Sequence, residues 1–205
     1  VAATLLREWQ LCNNSRREQA DPFPPERRVN GTGSTLLEAV GDFHVARAAG
    51  QCAVARETLT EELYREAQPL MAQHHEDVSP YPDIELDVDI DRYLAAEAAD
   101  LLRVYVARAD AALVGYAMFL VAPHGHARGS RQALCDSLFV APHARKRDIG
   151  LRLLRHCDAA LSLEGVQIVI HNESRANPSL GVILPRMGYD WIGRVWAKRL
   201  DRLEH

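Results

Sequence analysis

Residues 138–161 read LFVAPHARKRDIGLRLLRHCDAAL. An apolar run, LFVAP, ends at Pro142, and a leucine stripe opens at Ile149 with the spacing of an amphipathic helix. Between them lie His143, Arg145, Lys146 and Arg147, and then one carboxylate, Asp148. A strand feeding a helix through a short loop leaves the first amides of the helix without intrahelical acceptors, at the positive end of its dipole. Such a place favours an anion, and phosphate is the natural one. Neither GxxxxGK[ST] nor a GxGxxG after a strand occurs in the chain, which disfavours nucleotide hydrolysis and dinucleotide binding.

Outward from this stretch the elements alternate. QCAVARETL (51–59) reads as a strand, and Thr60 as the cap of a helix carrying Leu63, Ala67, Leu70 and Met71. After the loop SPYPDIELDVD, residues 89–101 read as a second helix. Residues 101–110, 112–123 and 131–142 read as strands, the first two joined by a turn at Asp110–Ala111. The helix 149–165 closes at Gly165. VQIVIHN (166–172) is a strand that returns parallel to 131–141 by a right-handed crossover. Residues 177–188 read as a short helix interrupted by Pro185, and YDWIGRVWAKRL (189–200) as a last strand. The expected class is α/β (α+β), a mixed central sheet flanked by helices.

With 205 residues the chain can bury a full core in one domain. Residues 13–34 are polar and rich in proline, glycine and arginine, so residues 1–50 are read as a flexible N-terminal extension and 51–205 as the folded domain. A formal charge of −4 provides no global field toward nucleic acid or anionic membrane. No apolar run reaches the ~20 residues of a membrane span, and the start lacks a secretory pattern. Four cysteines without CxxC spacing read as free thiols of a reducing compartment, and the expected location is cytoplasmic. Arginine greatly outnumbers lysine (Lys146 and Lys198 alone), a bias of GC-rich bacterial or phage coding.

The chain resembles the GCN5-related N-acetyltransferases (GNAT), most of all their phage-type branch. Val140 and Pro142, then Arg145-Lys-Arg-Asp-Ile-Gly150, follow the family's V-x-P and [QR]-x-x-G-x-[GA] signature for acetyl-coenzyme A, and the similarity runs on through VGYAMFLVAPHGH and MGYDWIG. The resemblance implies the acyl-CoA N-acyltransferase fold with acetyl-CoA as cosubstrate. It implies that Leu138, Phe139 and Val140 pair with the pantetheine arm, and that the loop of Arg145, Lys146, Arg147, Asp148, Ile149, Gly150 and Leu151 holds the pyrophosphate. Asn177 matches the family's cofactor-contacting asparagine. Two positions depart: Asp148 stands where the family carries glycine, and Leu184 where a tyrosine often protonates the leaving thiolate.

For the base, Asp136 alternates with Leu134, Leu138 and Val140, which places a carboxylate on an apolar strand face, either as a base or as a satisfied acceptor. His171 at the end of strand 166–172 is the second candidate. His74, Asp77, Tyr93, Tyr116 and His126 are expected to build the acceptor pocket, with His124 beside it. The histidine pairs lack the three or four linked ligands of a zinc site, so no metal is expected. Cys135 and Cys157 read as packing thiols. The expected activity is transfer of acetyl to a primary amine in a direct ternary complex, with acetyl-CoA and the amine as partners, as monomer or homodimer. The competing class is a noncatalytic acyl-CoA-binding or interaction protein on the same fold.

Overall fold

A computed structural model of the chain describes residues 52–127, 129–175 and 178–201, apart from the side chains of Lys146 and Arg147. The expected N-terminal extension therefore lies outside the described residues, as does Asn177.

The described elements are β1 (Cys52–Glu57), α1 (Glu61–Val78), α2 (Ile90–Ala98), β2 (Leu102–Ala109), β3 (Ala112–Pro123), β4 (Arg131–Val140), a 3-10 turn (Pro142–Arg147), α3 (Ile149–Leu163), β5 (Ile168–Ile170), α4 (Ser179–Ile183) and a second 3-10 turn (Pro185–Met187). The strands lie in the order β1-β2-β3-β4-β5. Neighbours are antiparallel as far as β4, and β5 runs parallel to β4. The mixed sheet flanked by helices is thus as expected.

Local chemistry explains the joints. Thr60 caps α1 by accepting from the Leu63 amide. Asp110 and Ala111 both take positive φ, which turns β2 into β3 with the twist a two-residue hairpin requires. α3 ends in a Schellman motif: Val166 N donates to Leu161 O and Gly165 N to Ser162 O, with Gly165 at φ +78°.

Period-2 alternation divides the sheet into two faces. Leu102, Val104, Val106, Tyr116 and Met118 pack with Leu63 and Leu70 of α1 and Ala96 of α2. Tyr105, Ala117, Phe119, Val121, Ala133 and Cys135 pack with Leu153, Cys157 and Leu161 of α3. Strand β4 changes parity along its length. Ala133 and Cys135 lie in the α3-side core, whereas Phe139 lies in the α1–α2-side core. The register shows why: Phe119 pairs with Cys135 and Met118 with Ser137, so Asp136 is a bulged residue with no partner on β3.

Two expectations at the C-terminal end are corrected. The strand 166–172 forms ladder pairs only over Ile168–Ile170. Residues 189–199 form no strand, although their side chains suit one. A strand needs a ladder partner, and this segment is instead held at two points. Tyr189 bonds Asp158, while Arg199 pairs with Asp83 and lies 5.3 Å from the Tyr81 ring centroid. Trp191, Ile192, Val195 and Trp196 between them are exposed.

Arg103 is 3% exposed, and its Nε donates to Glu164 Oε2 at 2.6 Å. The other Glu164 oxygen takes Arg56 at 3.3 Å, and the Glu164 carbonyl accepts from Arg131 at 2.9 Å. The end of α3 is thereby tied to β1, β2 and β4. Glu164→Ala should cost about 3 kcal/mol in a denaturant unfolding curve, because it leaves a buried guanidinium to Asp100 and two carbonyls. Glu61→Ala, which touches only the exposed Arg65, should change stability by well under 1 kcal/mol.

Candidate active site

The bulge has two consequences for the site. β4 and β5 pair only over Gln132↔Ile168, Ala133↔Val169 and Leu134↔Ile170. Beyond Leu134 the strands part, and the β5-facing side of Cys135–Val140 has no ladder partner among the described residues. Pairing with β3 continues to Gly115↔Val140. A notch results, with the amino end of α3 next to it through Ala141, Ala144 and Ile149 of the same core.

The second consequence concerns Asp136. Alternation places it on one face with Leu138 and Val140, but those two pack against the α3-side core. Asp136 instead faces α2, where Tyr93 Oη donates to its Oδ2 at 2.9 Å. The side chain keeps open surface, yet loss of hydration around the carboxylate raises its pKa, with the bond from Tyr93 pulling the other way. Burial, and then the Asp136 charge, holds the Tyr93 and Tyr116 phenols firmly protonated.

Four of the five expected acceptor residues line the same side. Tyr116 Oη lies 2.9 Å from His74 Nδ1, and the His74 ring stacks on Phe139 at 5.0 Å. Desolvation lowers the His74 pKa, so its imidazole is neutral near pH 7. Asp77, one turn on, pairs with Arg145. The fifth, His126, sits in the β3–β4 turn beyond the Pro123↔Arg131 pair, beside His124 and away from the others. Among the described residues no group of three or more His, Cys, Asp or Glu is placed to hold a metal ion.

Arg145 is not a free phosphate ligand. Its Nε donates to Val140 O at 2.9 Å, its other arm meets Asp77, and the guanidinium lies 5.2 Å from the Phe139 centroid. It clamps the end of β4 to α1. What the loop presents is backbone. Arg152 N donates to Asp148 O at the start of the α3 ladder, so the amides of Ile149, Gly150 and Leu151 precede that ladder. Asp148 takes φ 55° and ψ 14°, the left-handed conformation that glycine adopts without cost. Its carboxylate forms no capping bond.

His171 follows the last β4–β5 pair, Leu134↔Ile170. Its ring meets Phe119 at 5.6 Å and Tyr189 at 5.3 Å, on the α3 side of the sheet. Desolvation pushes its pKa down to about 4. Burial raises the thiols of Cys135 and Cys157, which lie in the same core and are poor nucleophiles there.

Sequence reasoning passed over Asp158 and Tyr189, which contact His171 or each other through the fold. Tyr189 reads as an aromatic opening the segment YDWIGRVWAKRL, and Asp158 as one polar position on an amphipathic helix.

Comparison with known proteins agrees with this architecture. Residues 100–189 match the family model described as the acetyltransferase (GNAT) domain. Solved structures share the fold across most of the chain. The ribosomal-protein-alanine N-acetyltransferase of Brucella melitensis biovar Abortus 2308 is 17% identical, with TM-score 0.58, over 73% of this chain and 99% of its own. A predicted acetyltransferase of Clostridium acetobutylicum, solved with acetyl-CoA, is 13% identical, with TM-score 0.56, over 76% and 100%. An aminoglycoside acetyltransferase from an uncultured soil metagenomic sample, solved with sisomicin, is 14% identical, with TM-score 0.56, over 72% and 96%. No curated protein sequence matches the chain significantly. The fold is that of the GNAT acetyltransferases.

Two outcomes follow from the site as described. Asp148→Gly relieves left-handed strain of about 1 kcal/mol but adds a similar entropy to the unfolded chain, so stability should stay within about 0.5 kcal/mol. Asp148→Val should lose about 1–2 kcal/mol in the same unfolding assay. The lowered pKa of His171 makes the unfolded chain bind the extra proton first, so its neutral burial destabilises the fold as pH falls from about 6.5 to about 4. Over that window His171→Gln should lose about 3 kcal/mol less than wild type. Parallel curves would mean that His171 is not buried neutral.

Proposed function

We propose that the chain is an N-acetyltransferase that moves acetyl from acetyl-CoA to a primary amine by direct attack, with the motif set of the phage-type branch. The observation that carries this reading is the parting of β4 from β5 beside the amino end of α3. The unpaired edge at Leu138, Phe139 and Val140 suits an extended amide-bearing arm. The amides at Ile149, Gly150 and Leu151 suit its pyrophosphate, with Lys146, Arg147 and Asn177 assigned there from the motif. A side chain added at Gly150 would come 3.8 Å from Val140, an ordinary contact, so the glycine serves backbone approach more than packing.

Bound acetyl-CoA would supply the thioester carbonyl and the thiolate leaving group. The chain's own task is proton management. Asp136, held by Tyr93 and raised by desolvation, accepts a proton from the acceptor ammonium and leaves a nucleophilic amine. Tyr93, Tyr116 and His74 present hydroxyl and imidazole groups on the same side. A groove of about 310 Å3 lined by Tyr64, Gln68, Met71, Leu86, Asp87 and Val88 opens between α1 and the α1–α2 connection. That connection carries Asp83, Glu85, Asp87 and Asp89, a setting that favours a cationic acceptor.

The test measures thiol release from acetyl-CoA over a panel of polyamines, aminoglycosides, amino acids and peptides, together with melting in coenzyme A. At a hundredfold excess over Kd, binding contributes about 2.7 kcal/mol, a rise of roughly 5–10 °C for a domain of this size. Asp136→Asn should lower turnover about 100-fold or more with the melting shift preserved. A melting shift without thiol release from any acceptor favours the binding-only protein. Absence of the shift removes the cofactor assignment.

A further inference from the structure

Strand β4 has a second parity, that of its backbone. Ala141 N donates to Val114 O at 2.9 Å, so Ala141 and Val114 form a hydrogen-bonded pair at the end of the β3–β4 ladder. Such pairs alternate with pairs whose N–H and C=O groups point outward. Along the register, Phe139 bonds toward Tyr116, whereas Val140 opposite Gly115 and Leu138 opposite Ala117 point away from β3. A Cβ built on Gly115 would meet Phe139 O at 2.9 Å, in agreement with a Phe139 carbonyl that faces β3. Leu138 and Val140 therefore aim their backbone groups at the side where β4 has no ladder partner among the described residues.

In order along that edge stand Leu138 N–H, Leu138 O, Val140 N–H and Val140 O. The last is filled, because Arg145 Nε donates to it at 2.9 Å. The guanidinium is held in turn by Asp77 near the end of α1, and it lies 5.2 Å from the Phe139 ring centroid. His74, one turn before Asp77, stacks on the same ring at 5.0 Å. The Arg145 and Asp77 side chains are 40% and 35% exposed, and an ion pair so open to water contributes little to folding. What the pair does is hold one guanidinium against one carbonyl.

We propose that Asp77 is a positioning residue for the coenzyme rather than part of the acceptor pocket: through Arg145 it closes the open edge of β4 at Val140 O and so sets where an extended arm leaves the strand. This rests on the acetyl-CoA reading above. The groups left open admit an arm whose amides donate to Leu138 O and accept from Val140 N–H. Beyond Val140 the arm finds no acceptor. It meets instead the turn that leads through Ala141 and Ala144 to the amides of Ile149, Gly150 and Leu151. Without the stop, arm and strand end can take several registers, and binding must then supply the ordering that Asp77 and Arg145 provide in advance.

Calorimetric titration of the full chain with coenzyme A is the first test. Asp77→Asn and Arg145→Gln should each weaken binding about tenfold, and the double variant should be no weaker than Arg145→Gln alone. Asp77→Glu, which keeps the carboxylate, should stay within about threefold of wild type. The free variants should melt within about 2–4 °C of wild type. Unchanged affinity in Asp77→Asn, or tighter binding because a released Arg145 reaches phosphate, overturns the proposal. With an acceptor in hand, Asp77→Asn should raise KM for acetyl-CoA about tenfold and leave kcat and the acceptor KM within about twofold. The reverse split returns Asp77 to the acceptor pocket and overturns it too. Without ligand, NMR should show the Val140 amide exchanging faster than those of Phe139 and Ala141, and the Val140 carbonyl carbon shifting in both single variants. A protected Val140 amide, or a carbonyl unmoved in Arg145→Gln, refutes the closed edge itself. Wild type that binds no coenzyme A sinks the acetyl-CoA reading and the coenzyme role with it, whereas wild-type binding with indifferent variants sinks this inference alone.

Discussion

One extra residue in β4 organises the site. Without the bulge at Asp136, β4 would keep a single parity and Asp136 would share a side with Leu138 and Val140. Asp136 keeps the face opposite Ala133 and Cys135 that alternation gives it, and the bulge turns Leu138 beyond it toward the α3-side core. On its own face Asp136 meets the Tyr93 hydroxyl. The bulge also lies where β4 ceases to pair with β5. One local irregularity thus lies at the notch and re-aims the strand beyond it, a use of bulges that recurs next to active sites.

The loop entering α3 follows a different logic. Its cationic composition invites the idea of side chains gripping phosphate, yet Arg145 is occupied by Val140 O, Asp77 and Phe139. Such a clamp fixes the strand end and leaves anion recognition to amides at the helix start, which need no side-chain ordering when a ligand arrives. Asp148 fits this division. Its left-handed backbone is one that glycine adopts without cost, and aspartate tolerates that conformation better than most residues. Its carboxylate would add a like charge beside an anion held at those amides, so Asp148 bears on the affinity proposed for the loop more than on its shape.

Much of the fold was legible because alternation, caps and turn residues act locally. Thr60, Asp110–Ala111 and Gly165 each stop or start an element by chemistry within a few positions. The face of Asp136 was not legible, since period-2 reasoning has no means of seeing an inserted residue until the partner strand is known. The segment 189–200 failed for a related reason: its composition is that of a strand, but a strand exists only with a ladder beside it. Tyr93 and Asp136 were each singled out, yet nothing in 43 residues of separation links them. Asp158 and Tyr189 lacked even that, because a polar residue on a helix and an aromatic after a glycine are ordinary on their own.

Asp136 and His171 lie on opposite faces of the sheet, and the energetics of burial treat them differently. Raising the pKa of Asp136 means that the native state binds its proton more tightly than the unfolded chain does. Stability is therefore lost as pH rises above about 3.8 and the carboxyl ionises in the fold. Lowering the pKa of His171 has the opposite course, with no cost at neutral pH and a growing one in acid. Near pH 7 the fold therefore carries the strain of one charged carboxylate and none from the imidazole. The carboxylate carries a standing cost in stability once ionised, while the imidazole, beside a tyrosine and a helix carboxylate, carries one only in acid.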